Sequence, residues 1–371
     1  MFRNYRVRDY DFKLIIMMIA ITVIGILSVG SAREELQNRQ FLGFIMGLFI
    51  MIVISFFDYS LFLRFYWVIY FFNLFLLLMV SIFGEVVNNA RRWLEVGGIQ
   101  FQPSELTKIM LILFYAQFFQ KRREKVNSFK NIIIALLLLV PPIYFIYNQP
   151  DMSTSIVILV IFCVVWYVGG LSYKLILGTL AVAVPAVIII FVMVLQPGQT
   201  LISDYQQGRI LAWLYPERYA QTTAYQQTNA IMAIGSGQLW GKGLNNNMIS
   251  SVKNGNFISE PQTDFIFTVV GEELGFVGGC AVVVLLFLIA LECLGVARRA
   301  KDLAGTCIAS GMAALVGFQG FVNIAVATGV FPNTGVPLPF VSYGLTSLVS
   351  LYIGMGFVLN VRLQCVRKYN N

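Results

Sequence analysis

Residues 172–196 read SYKLILGTLAVAVPAVIIIFVMVLQ, with a single charge, Lys174, near the start. A hydrocarbon layer about 30 Å thick is crossed by about 20 apolar residues of helix. A helix apolar on every side belongs in lipid or in the core of a large protein. Nine further stretches have the same character, at 13–30, 41–57, 61–83, 104–120, 131–148, 152–169, 264–293, 304–330 and 340–361. Composition agrees: of 371 residues 58% are hydrophobic and 12% charged, against about 25% charged in a soluble domain. Mean hydropathy is +0.76. A cytosolic enzyme, a DNA-binding module and a disordered chain are thereby excluded. The chain is predicted to be an all-α polytopic membrane protein, with ten transmembrane helices and one large extracytoplasmic loop between helices 7 and 8.

The formal charge is +8, from 26 Lys and Arg against 18 Asp and Glu. In a soluble protein that excess would suggest nucleic acid; here it reads as a topology signal and contact with anionic lipid, and no nucleic-acid partner is expected. With the amino terminus inside, the cytoplasmic group is Arg3, Arg6, Arg8, Lys13, Arg64, Lys121, Arg122, Arg123, Lys125, Lys130, Lys174, Arg298, Arg299, Lys301, Arg362, Arg367 and Lys368, the majority of the cations. The positive-inside rule then puts both termini in the cytoplasm. The expected organisation is a single membrane domain over 1–371. Residues 1–12 form a cytoplasmic amino terminus, 13–196 helices 1–7, 197–263 the extracytoplasmic loop, 264–361 helices 8–10 and 362–371 a cytoplasmic tail. Gly30-Ser31-Ala32 imitates a signal-peptide cleavage site, but nine spans follow and an uncleaved first helix is expected. No fixed-period repeat is visible. The chain has no histidine, which removes the commonest general base and zinc ligand. Its five cysteines (Cys163, Cys280, Cys293, Cys307, Cys365) show no metal-type spacing and read as small apolar residues.

Ionisable residues in or beside a span are expensive and need a partner or a function. Four places stand out. Pro103 suits the first position of a helix, and Glu105 and Lys108 share one face three residues apart, as a local ion pair or as the polar wall of an outward-facing cavity. Asp151, after Pro150, is placed to cap the next helix or to line the same cavity. The long loop carries Arg209 and Lys242, the outer cations best suited to a phosphorylated ligand or else solvated surface charges. Gly241-Lys242-Gly243 fails the spacing of a nucleotide-binding phosphate loop. Residues 225–235 form an amphipathic helical pattern ended by glycine, lying against the membrane or on the bundle. Asp264 stands at the membrane boundary before a wholly apolar sequel, as a helix cap or as a desolvated carboxylate with raised pKa. Of the adjacent Glu272 and Glu273, at least one must find a partner inside the bundle.

At these residues the chain resembles the SEDS family, the RodA/FtsW group of bacterial peptidoglycan glycosyltransferases. The matching stretches are Ala90-Arg91-Arg92-Trp93-Leu94, Phe101-Gln102-Pro103-Ser104-Glu105 through Lys108, Gln149-Pro150-Asp151 and Asp204-Tyr205-Gln206 through Arg209. They continue in family order with Ala233-Ile234-Gly235-Ser236-Gly237, Gly241-Lys242-Gly243-Leu244, Glu260-Pro261 with Thr263-Asp264-Phe265-Ile266-Phe267, Gly271-Glu272-Glu273-Leu274-Gly275, and Gly335-Val336-Pro337-Leu338-Pro339-Phe340-Val341-Ser342-Tyr343-Gly344. The position before Thr263 is often His in relatives and is Gln262 here, so no acid–base role is assigned to it.

The resemblance implies polymerisation of lipid II into glycan strands at the outer face of the bacterial cytoplasmic membrane, with release of polyprenyl diphosphate. It further implies work beside a class B penicillin-binding protein, within the elongation or division machinery. The family's essential aspartate carries over to Asp264, and its Glu and Lys to Glu105 and Lys108; Asp151 and Arg209 match further polar positions. Short termini and Asp204-Tyr205-Gln206 lean toward the RodA-like elongation branch, in cell shape control. On chemical grounds Asp264 is the base, and Lys108, Arg209 and Lys242 are the candidates, in falling order, to hold the leaving diphosphate. No cofactor is evident; a divalent cation is compatible with the chemistry, but no carboxylate cluster is dedicated to one. The rival readings are a transporter that flips the same lipid precursor, and a non-enzymatic scaffold for the crosslinking enzyme. Polymer formation in detergent separates the first from an enzyme, and dispensability of Asp264 would mark the second.

Overall fold

Four of the described helices begin where an aspartate meets the free backbone N–H groups of a first turn. In this computed structural model, Asp11 accepts from Leu14 N at 3.2 Å, Asp58 from Ser60 N at 2.9 Å, Asp151 from Thr154 N at 3.1 Å and Asp302 from Gly305 N at 2.8 Å. The structure describes residues 10–87, 90–96, 99–196, 198–199, 202–245, 251 and 257–365. Arg3, Arg6, Arg8, Arg367 and Lys368, which enter the orientation argument, lie outside the described residues.

The elements run α1 (Phe12–Ala32), α2 (Glu34–Phe56), α3 (Tyr59–Arg64), α4 (Tyr66–Phe83), a three-stranded antiparallel sheet of β1 (Glu85–Val87), β2 (Ala90–Val96) and β3 (Ile99–Phe101), then α5 (Pro103–Lys121), α6 (Phe129–Asn148), α7 (Met152–Val168) and α8 (Tyr173–Val194). After these come α9 (Asp204–Leu214), α10 (Tyr225–Ser236), α11 (Ile266–Glu273), α12 (Gly275–Arg298), α13 (Leu303–Ala327) and α14 (Leu345–Cys365). Eight of the described helices are long and apolar enough to cross a membrane: α1, α2, α4, α6, α8, α12, α13 and α14. Two further predicted spans lie among them as α5, which carries Glu105, Lys108 and Lys121, and α7, which has only 17 residues.

Three predicted spans are redrawn by the structure. The stretch 61–83 is two helices meeting at Phe65. The stretch 264–293 is broken between α11 and α12, where Gly275 takes φ +67 and leaves no room for a side chain against the backbone of Leu239–Gly241. The last span starts at Leu345 rather than 340, because residues 331–344 form neither helix nor strand.

Helices α13 and α14 occupy the middle of the bundle, with 72% and 83% of their apolar windows buried, whereas that of α8 is 0% buried. Helix α2 lies close on α14 along a face of Gln40, Gly43, Gly47, Met51 and Ser55. Small residues on that face let the helices approach, as membrane helix pairs require: a Cβ at Gly47 would stand 2.8 Å from the Tyr352 ring. Asp11 at the start of α1 lies 3.8 Å from Arg362 near the end of α14, and Tyr59 donates to Asp302. These contacts gather Lys301 and Arg362 at one end of the bundle. The 262–264 turn meets the start of α14 at the other end, through Tyr343 N and Gln262 O at 2.9 Å. About 30 Å of helix separates the two.

Gly47→Ala is expected to overpack the α2–α14 contact and cost about 1–3 kcal/mol, read as a lower Tm of the detergent-solubilised chain. Gly178→Ala in α8, where nothing lies within 4 Å of the new methyl, should not lower it.

Candidate active site

Residues 331–344 are an irregular chain, much of it buried, and such a chain must find hydrogen-bond donors for its carbonyls. Those donors come from across the molecule. Phe331 O accepts from Gln227 of α10 at 2.7 Å, Asn333 O from Arg209 of α9 at 3.2 Å, and Thr334 O from Ser153 of α7. Two neighbours on α13 serve the next pair: Asn323 Nδ2 donates to Val336 O at 2.7 Å, and Gln319 Nε2 to Pro337 O at 2.9 Å. Gln40 of α2 donates to Ser342 O at 3.0 Å. The segment is therefore a meeting point of α2, α7, α9, α10 and α13.

The turn carrying Asp264 is tied to the same segment. Ser342 Oγ donates to Thr263 O at 2.7 Å, Tyr343 N to Gln262 O at 2.9 Å, and Asn323 Nδ2 to Asp264 O at 2.8 Å. Asp264 lies ahead of α11 and caps nothing: the helix starts at Ile266 with Phe265 as its uncapped first neighbour. Its carboxylate faces Gly335, which has φ +73; a Cβ there would stand 3.2 Å from Asp264 Oδ2 and 4.0 Å from Arg209 Nη1. Glycine thus meets the backbone requirement and puts no side chain against the carboxylate. Desolvation pushes the Asp264 carboxyl up to about 6, assisted by the negative charges of Asp151 and Glu260 and opposed by Arg209 and Arg92. A carboxyl tuned to that range is equipped to take a proton near neutral pH.

The other candidates divide into two groups. Arg209 reaches the site, positioned on α9 by a capping box of Ser203 and Gln206. Asp151 caps α7, is buried, and acts on Asp264 through space. Glu105 and Lys108 are instead sealed in the bundle, 3% and 2% exposed, as an ion pair of 2.8 Å. Lys108 Nζ also donates to Gln319 Oε1 at 2.9 Å. The pair is a buried strut rather than the wall of an open cavity. Lys242 pairs with Glu272 at 2.8 Å, and Glu273 accepts from Ser31 of α1, so both adjacent glutamates find partners. Helix α10 packs on α11 and α13; it runs past Gly235, where the sequence pattern ends, to Ser236 and closes on Gly237.

Sequence reasoning gives no role to Arg92, Gln319, Asn323, Gln40 or Gly335. Arg92, on β2, donates to Gln149 O at 2.9 Å and to Pro150 O, which fixes the α6–α7 junction beside Asp151. Gln319 and Asn323 carry a usable signal: two amides one helical turn apart on an otherwise apolar span. Among the described residues no group of three or more His, Cys, Asp or Glu is placed to hold a metal ion. A small cavity beside Lys108, lined by Leu111, Tyr115, Leu139, Ile158 and Phe162, is apolar and separate from Asp264.

Comparison with known proteins gives a consistent result. The model of the FtsW/RodA/SpoVE cell cycle protein family matches residues 10–366. The peptidoglycan glycosyltransferase MrdB of Escherichia coli K12 is 35% identical over 354 residues, covering 95% of this chain and 93% of that protein. The probable peptidoglycan glycosyltransferase FtsW of Trichlorobacter lovleyi is 31% identical over 376 residues, covering 97% and 94%. Among solved structures, a chain of a peptidoglycan synthase complex that coordinates polymerization and crosslinking superposes with TM-score 0.78 at 28% identity, covering 96% of this chain and 98% of that one. The rod shape determining protein RodA of Thermus thermophilus superposes with TM-score 0.69 at 28% identity, covering 95% and 96%.

Removing one partner of a buried ion pair strands the other charge. Lys108→Met alone is expected to cost about 3–5 kcal/mol, and Glu105→Leu combined with Lys108→Met much less. Thermal unfolding in detergent measures both.

Proposed function

The chain belongs to the FtsW/RodA/SpoVE family of cell cycle proteins, and from that premise we propose that it is a peptidoglycan glycosyltransferase whose base is Asp264. The substrate is lipid II, polymerised into glycan strands at the outer face of the bacterial cytoplasmic membrane for wall elongation and shape. The positive-inside distribution supports this orientation, with both termini cytoplasmic and Asp264 at the extracytoplasmic end. A class B penicillin-binding protein would crosslink the product, a reading supported by the relative found in a peptidoglycan synthase complex.

The acceptor sugar's hydroxyl attacks the anomeric carbon of the donor. The new C–O bond forms as the bond to the lipid diphosphate breaks, and the hydroxyl proton passes to Asp264. Negative charge then grows on the departing diphosphate, where fixed cations stabilise it best. Arg209 and Arg92, whose charges act on Asp264, are assigned that role ahead of Lys108 and Lys242, which are engaged with Glu105 and Glu272. The apolar flanks of the bundle keep the polyprenyl tails in lipid while the sugars reach the site. The observation that carries the proposal is the carboxylate of Asp264, raised to about 6 beside Arg209 and faced by Gly335 with no side chain between them.

Purified wild-type chain in detergent should convert labelled lipid II to polymer, a result that a transporter does not give; Asp264→Asn should lose it while keeping its Tm. Because the base must be deprotonated, kcat/KM should fall about tenfold per pH unit below about 6. Arg209 lowers the carboxyl's pKa, so Arg209→Gln should move this limb to higher pH. An unmoved limb would remove Asp264 from the role of base.

A further inference from the structure

The buried Glu105–Lys108 pair and the Asp264 turn belong to different elements, yet one continuous set of hydrogen bonds joins them to the irregular segment. From Lys108 it runs to Gln319 and on to Pro337 O; one turn along α13, Asn323 holds both Val336 O and Asp264 O. We infer that Gln319 and Asn323 are positioning residues that fix the Asp264 turn against Gly335 and transmit to it the placement of the Glu105–Lys108 pair. This inference rests on the glycosyltransferase reading above.

The chemistry of the partners fixes the orientation of both amides. Lys108 can only donate, so the oxygen of Gln319 must face it and the NH2 must face Pro337. Asn323 meets two carbonyls, so its NH2 must supply both bonds. Its Oδ1 is buried with no hydrogen-bond partner among the described residues. Neither residue is open to a substrate: Gln319 is 0% and Asn323 1% exposed. Each acts through backbone that it holds. Val336 and Pro337 directly follow Gly335, the residue facing the carboxylate, and Asp264 O belongs to the catalytic residue itself. Asn323 therefore grips both sides of the gap between Asp264 and Gly335. Gln319 anchors the next carbonyl to a charged pair that cannot shift without exposing a charge to the apolar interior.

The test compares Asn323→Leu and Gln319→Glu with Tyr115→Phe, each purified as the full chain and assayed for polymerisation of labelled lipid II across pH. Gln319→Glu keeps an acceptor for Lys108 at nearly constant size and removes the amide donor to Pro337, but it adds a carboxylate beside Glu105, so for this variant kcat and KM are read and the acid limb is read on Asn323→Leu. Tyr115→Phe removes an equally buried bond, Tyr115 Oη to Ala135 O at 3.0 Å, with no link to Asp264. Small misplacements of reacting groups cost about 100-fold, so kcat should fall by about tenfold or more in both α13 variants. KM for lipid II should stay within about twofold, and the acid limb of Asn323→Leu should move. Tyr115→Phe should keep both kcat and the limb. If the α13 variants lose only as much activity as Tyr115→Phe does for the same fall in Tm, the amides are merely structural and the inference fails. A raised KM at unchanged kcat would also overturn it, by assigning them to substrate binding. Should Asn323→Leu not fold, Gln319→Glu alone decides between these outcomes. Wild-type chain that makes no polymer would instead overturn the glycosyltransferase reading, which separates the two failures.

Discussion

Polar backbone cannot be left unsatisfied inside an apolar bundle, and this constraint governs the molecule most sharply at residues 331–344. A helix would have satisfied those carbonyls internally; an irregular chain has to recruit donors. Gln227, Arg209, Ser153, Asn323, Gln319 and Gln40 supply them from five different helices or their ends. The arrangement makes the segment as rigid as the elements around it, while freeing its backbone to take shapes a helix forbids, including φ +73 at Gly335. The site needs that freedom, because it lets a glycine lie against a carboxylate with no side chain between them.

Charges near the site meet two fates, and the closeness of an opposite charge decides which. Glu105 and Lys108, sunk in the bundle, neutralise one another at 2.8 Å. Lys242, beyond α10, and Glu272, in the last turn of α11, do the same. Asp264 is different. It experiences two arginines and two carboxylates from four separate places in the chain, and its burial outweighs the net attraction. A direct strong pair would hold the carboxylate ionised but make it a poor base; the looser field leaves it able to bind a proton.

The apolar stretches mark the helices in the amino-acid sequence because a span needs length and hydropathy, and both are written locally. The pairing of Glu105 with Lys108 follows from spacing alone, and the siting of Asp264 from the contrast with its sequel. What escapes such a reading is written non-locally. The break at Gly275 is dictated by the backbone of Leu239–Gly241, far away in sequence. The kink at Phe65 carries no proline or glycine signal. Lys108 reads as a candidate diphosphate ligand because sequence shows its charge and its spacing from Glu105, but not the bond to Gln319 or the burial of the pair. Gln319 and Asn323 stand out as a pair of amides in an apolar span and Gln40 ends a polar run, but which carbonyls they serve is not written in the sequence.

The choice of amides rather than charges along α13 has an electrostatic consequence. A lysine at 323 could donate to the same two carbonyls, but it would bring a full positive charge into a low-dielectric site beside Asp264. That charge would favour the carboxylate form and draw the carboxyl back toward its ordinary range. The base would then be ionised at every working pH, but too weak to hold the proton it must remove. An amide grips the backbone with neutral hydrogens and leaves the proton affinity to be set by burial and by the more distant arginines. Position and basicity are thereby controlled by separate residues: Asn323 and Gln319 govern where the carboxylate stands, and Arg209, Arg92, Asp151 and Glu260 govern how tightly it binds a proton.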